Sequence, residues 1–126
     1  MPIPAFLEVF DNHCRFCPRG DVTLVQAVEM ITGAIVFCRG QKISRLFVDS
    51  TGLTGFSSPT VDDRFWMVQD WADASKGAVI VAMLARPELI HPSKFGARVA
   101  ADAGLTGDVF ATEAEAMEWL LERPAG

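Results

Sequence analysis

The sequence predicts an α/β fold: a mixed sheet of about five strands with a parallel centre, flanked by four helices, in the order ββαβαβαβα. Three observations predict this class. The chain has 126 residues, the size of one compact domain, so we expect a single domain over residues 1–126. Half of the residues are hydrophobic and 21% are charged, as in a folded protein with an apolar core. Strand-like runs alternate with amphipathic stretches, which favours parallel strands joined by helices.

The first half of the chain contains a hairpin, a helix, a strand and a long loop. Residues 5–10 are rich in strand formers, residues 13–17 alternate polar with apolar side chains, and the turn pair Asp11-Asn12 lies between them, which predicts an antiparallel hairpin. Thr23 can cap a helix that ends by Gly40. A short apolar strand, Leu46-Phe47-Val48, is followed by a loop over residues 49–59 that is rich in Gly, Pro, Ser and Thr.

A second helix is predicted over residues 59–74. Pro59 suits its first position, Ser58 its N-cap, and Asp62 and Asp63 lie in the positive field of the first turn. The helical period places one apolar stripe on this helix, whereas Trp66 falls about 140° away from it. Either another element covers Trp66 or its side chain contacts a protein or ligand. The predicted stripe consists of Val61, Phe65, Val68 and Ala72.

The second half completes the sheet. Residues 78–84 are uninterruptedly apolar, as in a parallel strand covered on both faces, and we place this strand at the centre of the fold. A helix over residues 93–103 ends at Gly104, and residues 108–110 form an edge strand. The last helix opens with a capping box from Thr112 to Glu115 and directs three apolar side chains inward. These are Met117, Leu120 and Leu121.

Charge and cysteine content exclude several classes of function. Eleven Lys and Arg against sixteen Asp and Glu give a net charge of −5, whereas nucleic acids and anionic membranes need a concentrated positive patch. The start of the chain lacks a signal-like segment, and no stretch has the length of a membrane span. Three cysteines do not make a disulfide framework. We therefore expect a cytoplasmic protein with neither nucleic acid nor membrane as a partner.

Few residues are spaced as a metal-binding, redox or catalytic site would require. Cys14 and Cys17 form a C-x-x-C motif beside His13, but four zinc ligands are lacking and no helix begins there, so we interpret these cysteines as structural. His91 lies in a loop where open α/β sheets bind ligands. A base at His91 needs a partner such as Asp49 or Glu88, and no nucleophile or phosphate-binding motif is present. We predict no enzyme activity, no cofactor and no metal.

The order of elements, the stretch Leu46-Phe47-Val48-Asp49 and the serine-containing helix start resemble the STAS domain, the fold of anti-sigma-factor antagonists, and in particular small bacterial STAS-like proteins. The resemblance covers nearly the whole chain. It implies a regulatory module in which a serine at a helix start is phosphorylated. Asp49-Ser50-Thr51-Gly52 matches the family motif literally but lies seven residues before Pro59. The alternative register puts Ser57 and Ser58 at the phosphorylation position, and we prefer it.

Two functions follow as hypotheses. The first is a regulatory domain that binds another protein, such as a kinase or regulator, through the 50–60 loop and the 59–74 helix. Homodimers also fit the apolar composition. The second is a carrier or sensor whose apolar space between the 59–74 helix, the 93–103 helix and the sheet holds a lipid-like molecule or a nucleotide. The predicted contact residues are Asp49, Ser50, Thr51, Gly52, Trp66 and His91.

Overall fold

The computed structural model describes residues 3–90 and 94–123, with residues 95–97 described by their backbone. Within this part of the chain, seven strands and four α-helices are formed, and a short 3₁₀ turn spans Pro87–Leu89. The strands are β1 (Leu7–Val9), β2 (Cys14–Phe16), β3 (Gly20–Asp21), β4 (Arg45–Asp49), β5 (Leu53–Thr54), β6 (Ile80–Leu84) and β7 (Gly107–Phe110). The helices are α1 (Leu24–Gly40), α2 (Val61–Ser75), α3 (Phe95–Ala103) and α4 (Glu113–Glu122).

Five strands form the main sheet in the order β1-β2-β4-β6-β7. β1 and β2 are antiparallel, as the hairpin prediction requires, and the remaining pairs are parallel. β6 lies inside the sheet between β4 and β7, but β4 and not β6 occupies the middle position. The predicted mixed sheet with a parallel centre and four helices is therefore confirmed.

The predicted loop over residues 49–59 is wrong in one respect, because it contains a strand. β5 pairs in parallel with β3 and makes a separate two-stranded sheet, so the order has two strands more than predicted. Leu53 is 1% exposed. At Gly55, whose φ is +101°, an added Cβ would lie 2.5 Å from the Val22 carbonyl oxygen. This glycine therefore permits a close approach between two backbones that a side chain would block.

Both faces of the main sheet are covered, by different numbers of helices. Successive side chains along a strand point to opposite faces. Leu46 and Val48 of β4 therefore join the core under α1, α2 and α3, while Phe47 joins a second core under α4. In this second core Ala116 and Leu120 are fully buried. Leu121, predicted to point inward, is instead 42% exposed, because α4 buries a narrower stripe.

The start of α2 differs from the prediction. Thr60, and not Ser58, is the N-cap: its hydroxyl accepts from the Asp63 N–H at 3.0 Å, and the Asp63 carboxylate accepts from the Thr60 N–H at 3.0 Å. This capping box satisfies two backbone donors at once, which explains why the helix begins at Val61 and runs to Ser75 instead of spanning residues 59–74. Pro59 and Ser58 precede the helix.

The buried face of α2 is turned by roughly 90° from the predicted stripe. Val61 and Phe65 are 47% and 52% exposed, and Val68 is the member of that stripe that is buried. The reason is that α2 packs between α1 and α3, so these two helices and not the sheet alone decide which residues are covered. The buried residues are Val68, Trp71, Ala74 and Ser75.

Candidate functional site

An apolar cavity of about 150 Å³ lies between the sheet and the helices α1, α2 and α3. Its deep side is made of buried residues from four elements. Val28 of α1, Trp71 of α2, Val81 of β6 and Ala100 of α3 are each less than 9% exposed. The indole of Trp71 donates to the Val28 carbonyl at 3.4 Å, which holds this wall in place.

The cavity opens near the carboxyl ends of the parallel strands. Five of its half-buried lining residues lie there: Phe56 and Pro59 precede α2, Leu89 and Ile90 follow β6, and Lys94 precedes α3. We call these five residues together with Arg64 the cavity mouth. The carboxyl edge of parallel strands is where open α/β sheets bind ligands, so the cavity occupies the expected position for a binding site.

Arg64 joins two sides of the cavity mouth. One of its terminal nitrogens donates to the Pro59 carbonyl, and the other donates to the Leu89 carbonyl at 2.6 Å. It therefore ties the start of α2 to the turn after β6. Partial burial lowers the pKa of the Arg64 guanidinium from its usual value, and the nearby Asp63 carboxylate acts in the opposite direction. The group remains a cation at neutral pH.

The other polar groups of the cavity are already paired. Lys94 forms an ion pair with Asp108 at 3.1 Å and lies 4.8 Å from the ring centroid of Phe110. The Ser50 hydroxyl donates to the Leu84 carbonyl at 2.8 Å. These pairings leave a lining that is apolar inside and polar only at the mouth. Such a lining is typical of small-molecule sites, in which a few polar groups orient the ligand.

No family model, curated protein or solved structure matches this chain. The STAS resemblance therefore stays a prediction, and the fold class rests on the sheet order and the strand directions. Among the residues that the structure describes, no helix is long and apolar enough to cross a membrane.

The predicted loop residues lie at the same edge of the sheet as the cavity mouth. The Asp49 carboxylate accepts from the Thr51 N–H at 3.0 Å and from the Thr51 hydroxyl at 2.5 Å. Gly52 packs against Arg19: an added Cβ would be 2.6 Å from the Arg19 Cγ. Of the four predicted residues, only Ser50 lines the cavity. Residues 49–52 therefore form a hydrogen-bonded turn packed against Arg19.

The structure also locates the predicted contact and phosphorylation residues. Trp66 is half-buried against the core, and its indole donates to Asp63 at 3.2 Å. This favours the alternative in which another element covers Trp66. Ser57 and Ser58 are exposed and lie three and two residues before the N-cap Thr60. His91 lies outside the described residues, so its pairing with Asp49 or Glu88 stays untested.

The cysteines are buried to different degrees. Cys14 and Cys38 are fully buried, and burial raises the pKa of both thiols. Cys17 is half-buried, and burial raises its pKa as well. All three are free. Among residues 3–90 and 94–123, no group of three His, Cys, Asp or Glu side chains is arranged to hold a metal ion.

Sequence reasoning placed an apolar space beside the 59–74 and 93–103 helices but missed most of the side chains that form it. Arg64 was not singled out, although a lone arginine between the apolar positions Val61 and Val68 is a usable signal. The helical period places Ala27 and Val28 on the core-facing side of α1, but their contribution to the cavity depends on how α1 packs against α2 and was not predicted.

Proposed function

We propose that this protein binds a small apolar molecule in the cavity under α1, α2 and α3, as a carrier or sensor. The observation that carries the proposal is the cavity itself. Its volume of about 150 Å³ is lined mostly by aliphatic and aromatic side chains of three helices and the sheet. Well-packed cores contain few voids larger than a water molecule, so a space of this size at the carboxyl edge supports a ligand-binding role.

The volume also limits the ligand. An apolar cavity of about 150 Å³ stays dry and takes up a molecule of about the size of benzene. A ligand of roughly six to eight carbon atoms therefore fits inside, whereas a long acyl chain or a nucleotide does not. We accordingly narrow the lipid-like or nucleotide ligand expected from the sequence to a short-chain or single-ring compound.

Native mass spectrometry of the intact protein, together with calorimetric titration with 1-hexanol, tests this function. We expect 1-hexanol to bind with 1:1 stoichiometry, and a small molecule retained from the source cells would add a mass to the unliganded peak. Ala27 lines the cavity and is 4% exposed, so Ala27→Leu should fill the space and abolish binding.

Ala116→Leu is the matched control, because Ala116 is on the buried side of α4 in the other core. It should bind 1-hexanol as the natural chain does, provided that it is folded. If the natural chain binds neither 1-hexanol nor a ring compound such as benzene, the proposed function is ruled out. Binding that survives Ala27→Leu would move the ligand to another site.

A second candidate function is supported by a different surface. Val61 and Phe65 are both about half exposed on α2, and the exposed Ser57 and Ser58 lie just before it. Exposed aromatic side chains are typical anchors of protein interfaces. We therefore retain the STAS-like regulatory module as a hypothesis, with Phe65 and not Trp66 as the predicted interface anchor. In this hypothesis the chain is not an enzyme and uses no cofactor.

Incubation with kinases encoded in neighbouring genes, followed by phosphopeptide mapping, tests the regulatory hypothesis. We expect modification at Ser58 or Ser57, and Ser58→Asp should change the amount of partner captured. Phe65→Ala should weaken capture, whereas the equally exposed Val25→Ala on α1 should not. Unmodified serines and unchanged capture in all variants would eliminate this function.

A further inference from the structure

We infer that the ligand of this cavity is a small carboxylic acid whose carboxylate is held by Arg64 at the cavity mouth. The inference rests on the proposed function and specifies its ligand class. It comes from the distribution of charge around the cavity, which is uneven. Lys94 is balanced by Asp108 at 3.1 Å. Arg64 has no carboxylate of the described residues within ion-pair distance, since the ion pairs found there involve other cations.

The nearest acidic group does not neutralise Arg64. Both carboxylate oxygens of Asp63 are engaged elsewhere: one accepts from the Thr60 N–H and the other from the Trp66 indole. The field of Asp63 reaches Arg64, but its oxygens stay on the capping side. Glu88, on the turn after β6, faces Arg86 at 3.8 Å. A carboxylate from outside the chain is therefore the natural counter-ion for Arg64.

Arg64 also has donors to spare. A guanidinium carries five N–H groups in one plane, and its bonds to Pro59 and Leu89 use one on each terminal nitrogen. Those two bonds fix the plane of the group at the cavity mouth before any ligand arrives. Arginine binds carboxylates in a fork-like geometry, and charge-assisted hydrogen bonds of this type are roughly twice as strong as neutral ones.

The position of Arg64 matches the shape of such a ligand. The inner lining is apolar and the cation lies at the open end. A ligand of about six carbon atoms fills the cavity, and its single polar group then lies at the mouth. Because the site is partly shielded from water, the attraction between the two charges is stronger there than in bulk solvent. A neutral compound of the same length makes the apolar contacts but not this one.

Calorimetric titration of the full chain with hexanoate and with 1-hexanol at pH 7 tests the inference. A hydrogen bond to a charged group is stronger than one between neutral groups, so we expect hexanoate to bind at least about tenfold more tightly than hexanol. This preference should shrink as the salt concentration rises, because salt screens charge interactions, while hexanol affinity should not fall.

Arg64→Gln should remove the preference for hexanoate, so that hexanoate and hexanol bind with similar affinities. Arg98→Gln removes a charge from an exposed position on α3 outside the cavity lining and should retain the preference. If Arg64→Gln does not fold, the preference and its salt dependence in the natural chain still decide the question. Arg64→Lys, which keeps the charge without the planar fork, should retain a reduced preference.

The outcomes separate the two proposals. Equal affinities for hexanoate and hexanol in the natural chain, or a preference that survives in folded Arg64→Gln, would overturn the carboxylate inference while the cavity function stands. Loss of binding of both compounds in a folded Arg64→Gln would likewise overturn it, because Arg64 would then act only by holding the cavity together. If the natural chain binds neither compound nor benzene, the proposed function itself fails.

Discussion

The two faces of the main sheet are built from the same strands but solve the packing problem differently. One helix, α4, covers the second face, and its Leu120 is fully buried against Phe47 and Ala82 of the sheet. Three helices cover the first face, yet a cavity of about 150 Å³ remains among them. Helices can therefore cover a face of the sheet without filling the space between them. The face covered by three helices is the one that keeps room for a ligand.

The largest expected effect is on the free energy of unfolding, which should fall more when a side chain is truncated in the filled core than when one is truncated beside the cavity. Leu120→Ala removes a fully buried side chain from the filled core and should lower the free energy of unfolding by about 2–5 kcal/mol. Met67 is half-buried beside the existing cavity, so Met67→Ala should cost less than about 2 kcal/mol. Urea denaturation of both variants measures the difference, and equal losses would contradict the comparison.

Adding volume should show the opposite pattern. Ala116→Leu inserts three carbon atoms into a filled core and should cost about 1–3 kcal/mol. Ala27→Leu places the same atoms into the cavity, where apolar contact is gained, and should cost less than about 1 kcal/mol or stabilise the fold. The same denaturation experiment reports both values. A larger loss for Ala27→Leu than for Ala116→Leu would mean that the cavity is not available space.

Two helix caps can be compared in the same way, because one lies next to the cavity mouth and the other lies on the opposite face of the sheet. Thr60 caps α2 and Thr112 caps α4, and either Thr→Ala change should cost about 1 kcal/mol. Only Thr60→Ala should also weaken hexanoate binding, because the first turn of α2 carries Arg64, the proposed partner of the carboxylate. Ser58→Ala should change stability by less than about 0.5 kcal/mol. A larger loss at Ser58 than at Thr60 would restore the serine as the cap.

The smallest expected effect concerns the pKa of Asp63 beside the mouth. Hydrogen bonds from the Thr60 N–H and the Trp66 indole lower this pKa below the usual Asp value. The stabilisation from this carboxylate is therefore present above the ordinary Asp pKa and is lost as the pH falls through the lowered value. Trp66→Phe removes one donor and should raise the Asp63 pKa, as followed by carbon NMR of the carboxyl. An unchanged value would remove the indole from this network.

The sequence predicted the sheet and the helices of this fold well, because the spacing of apolar residues and the residue types in turns and helix caps are local signals. The hairpin around Asp11-Asn12, the cap at Thr23 and the left-handed Gly104 were all read from a few residues each, and all are confirmed. The edge position of β7 is confirmed as well. These features depend on backbone geometry that neighbouring residues dictate.

What the sequence could not supply depends on contacts between distant elements. The β3–β5 pairing joins residues more than thirty positions apart, and neither two-residue strand carries a pattern of its own. The buried face of α2 is set by α1 and α3, and so Trp71 and not Phe65 points inward. The choice of Thr60 over Ser58 as cap was open locally, because both are good caps, and the side chain of Asp63 decided it.

Methyl NMR of the natural chain during titration with benzene shows whether the first face of the sheet holds a ligand-sized space and the second does not. We expect saturable chemical-shift changes of the methyl groups of Ala27, Met67 and Ala100, which line the cavity, and none at Ala116 and Leu120. No saturable shift at the first three methyl groups, or equal shifts on both faces, would contradict it.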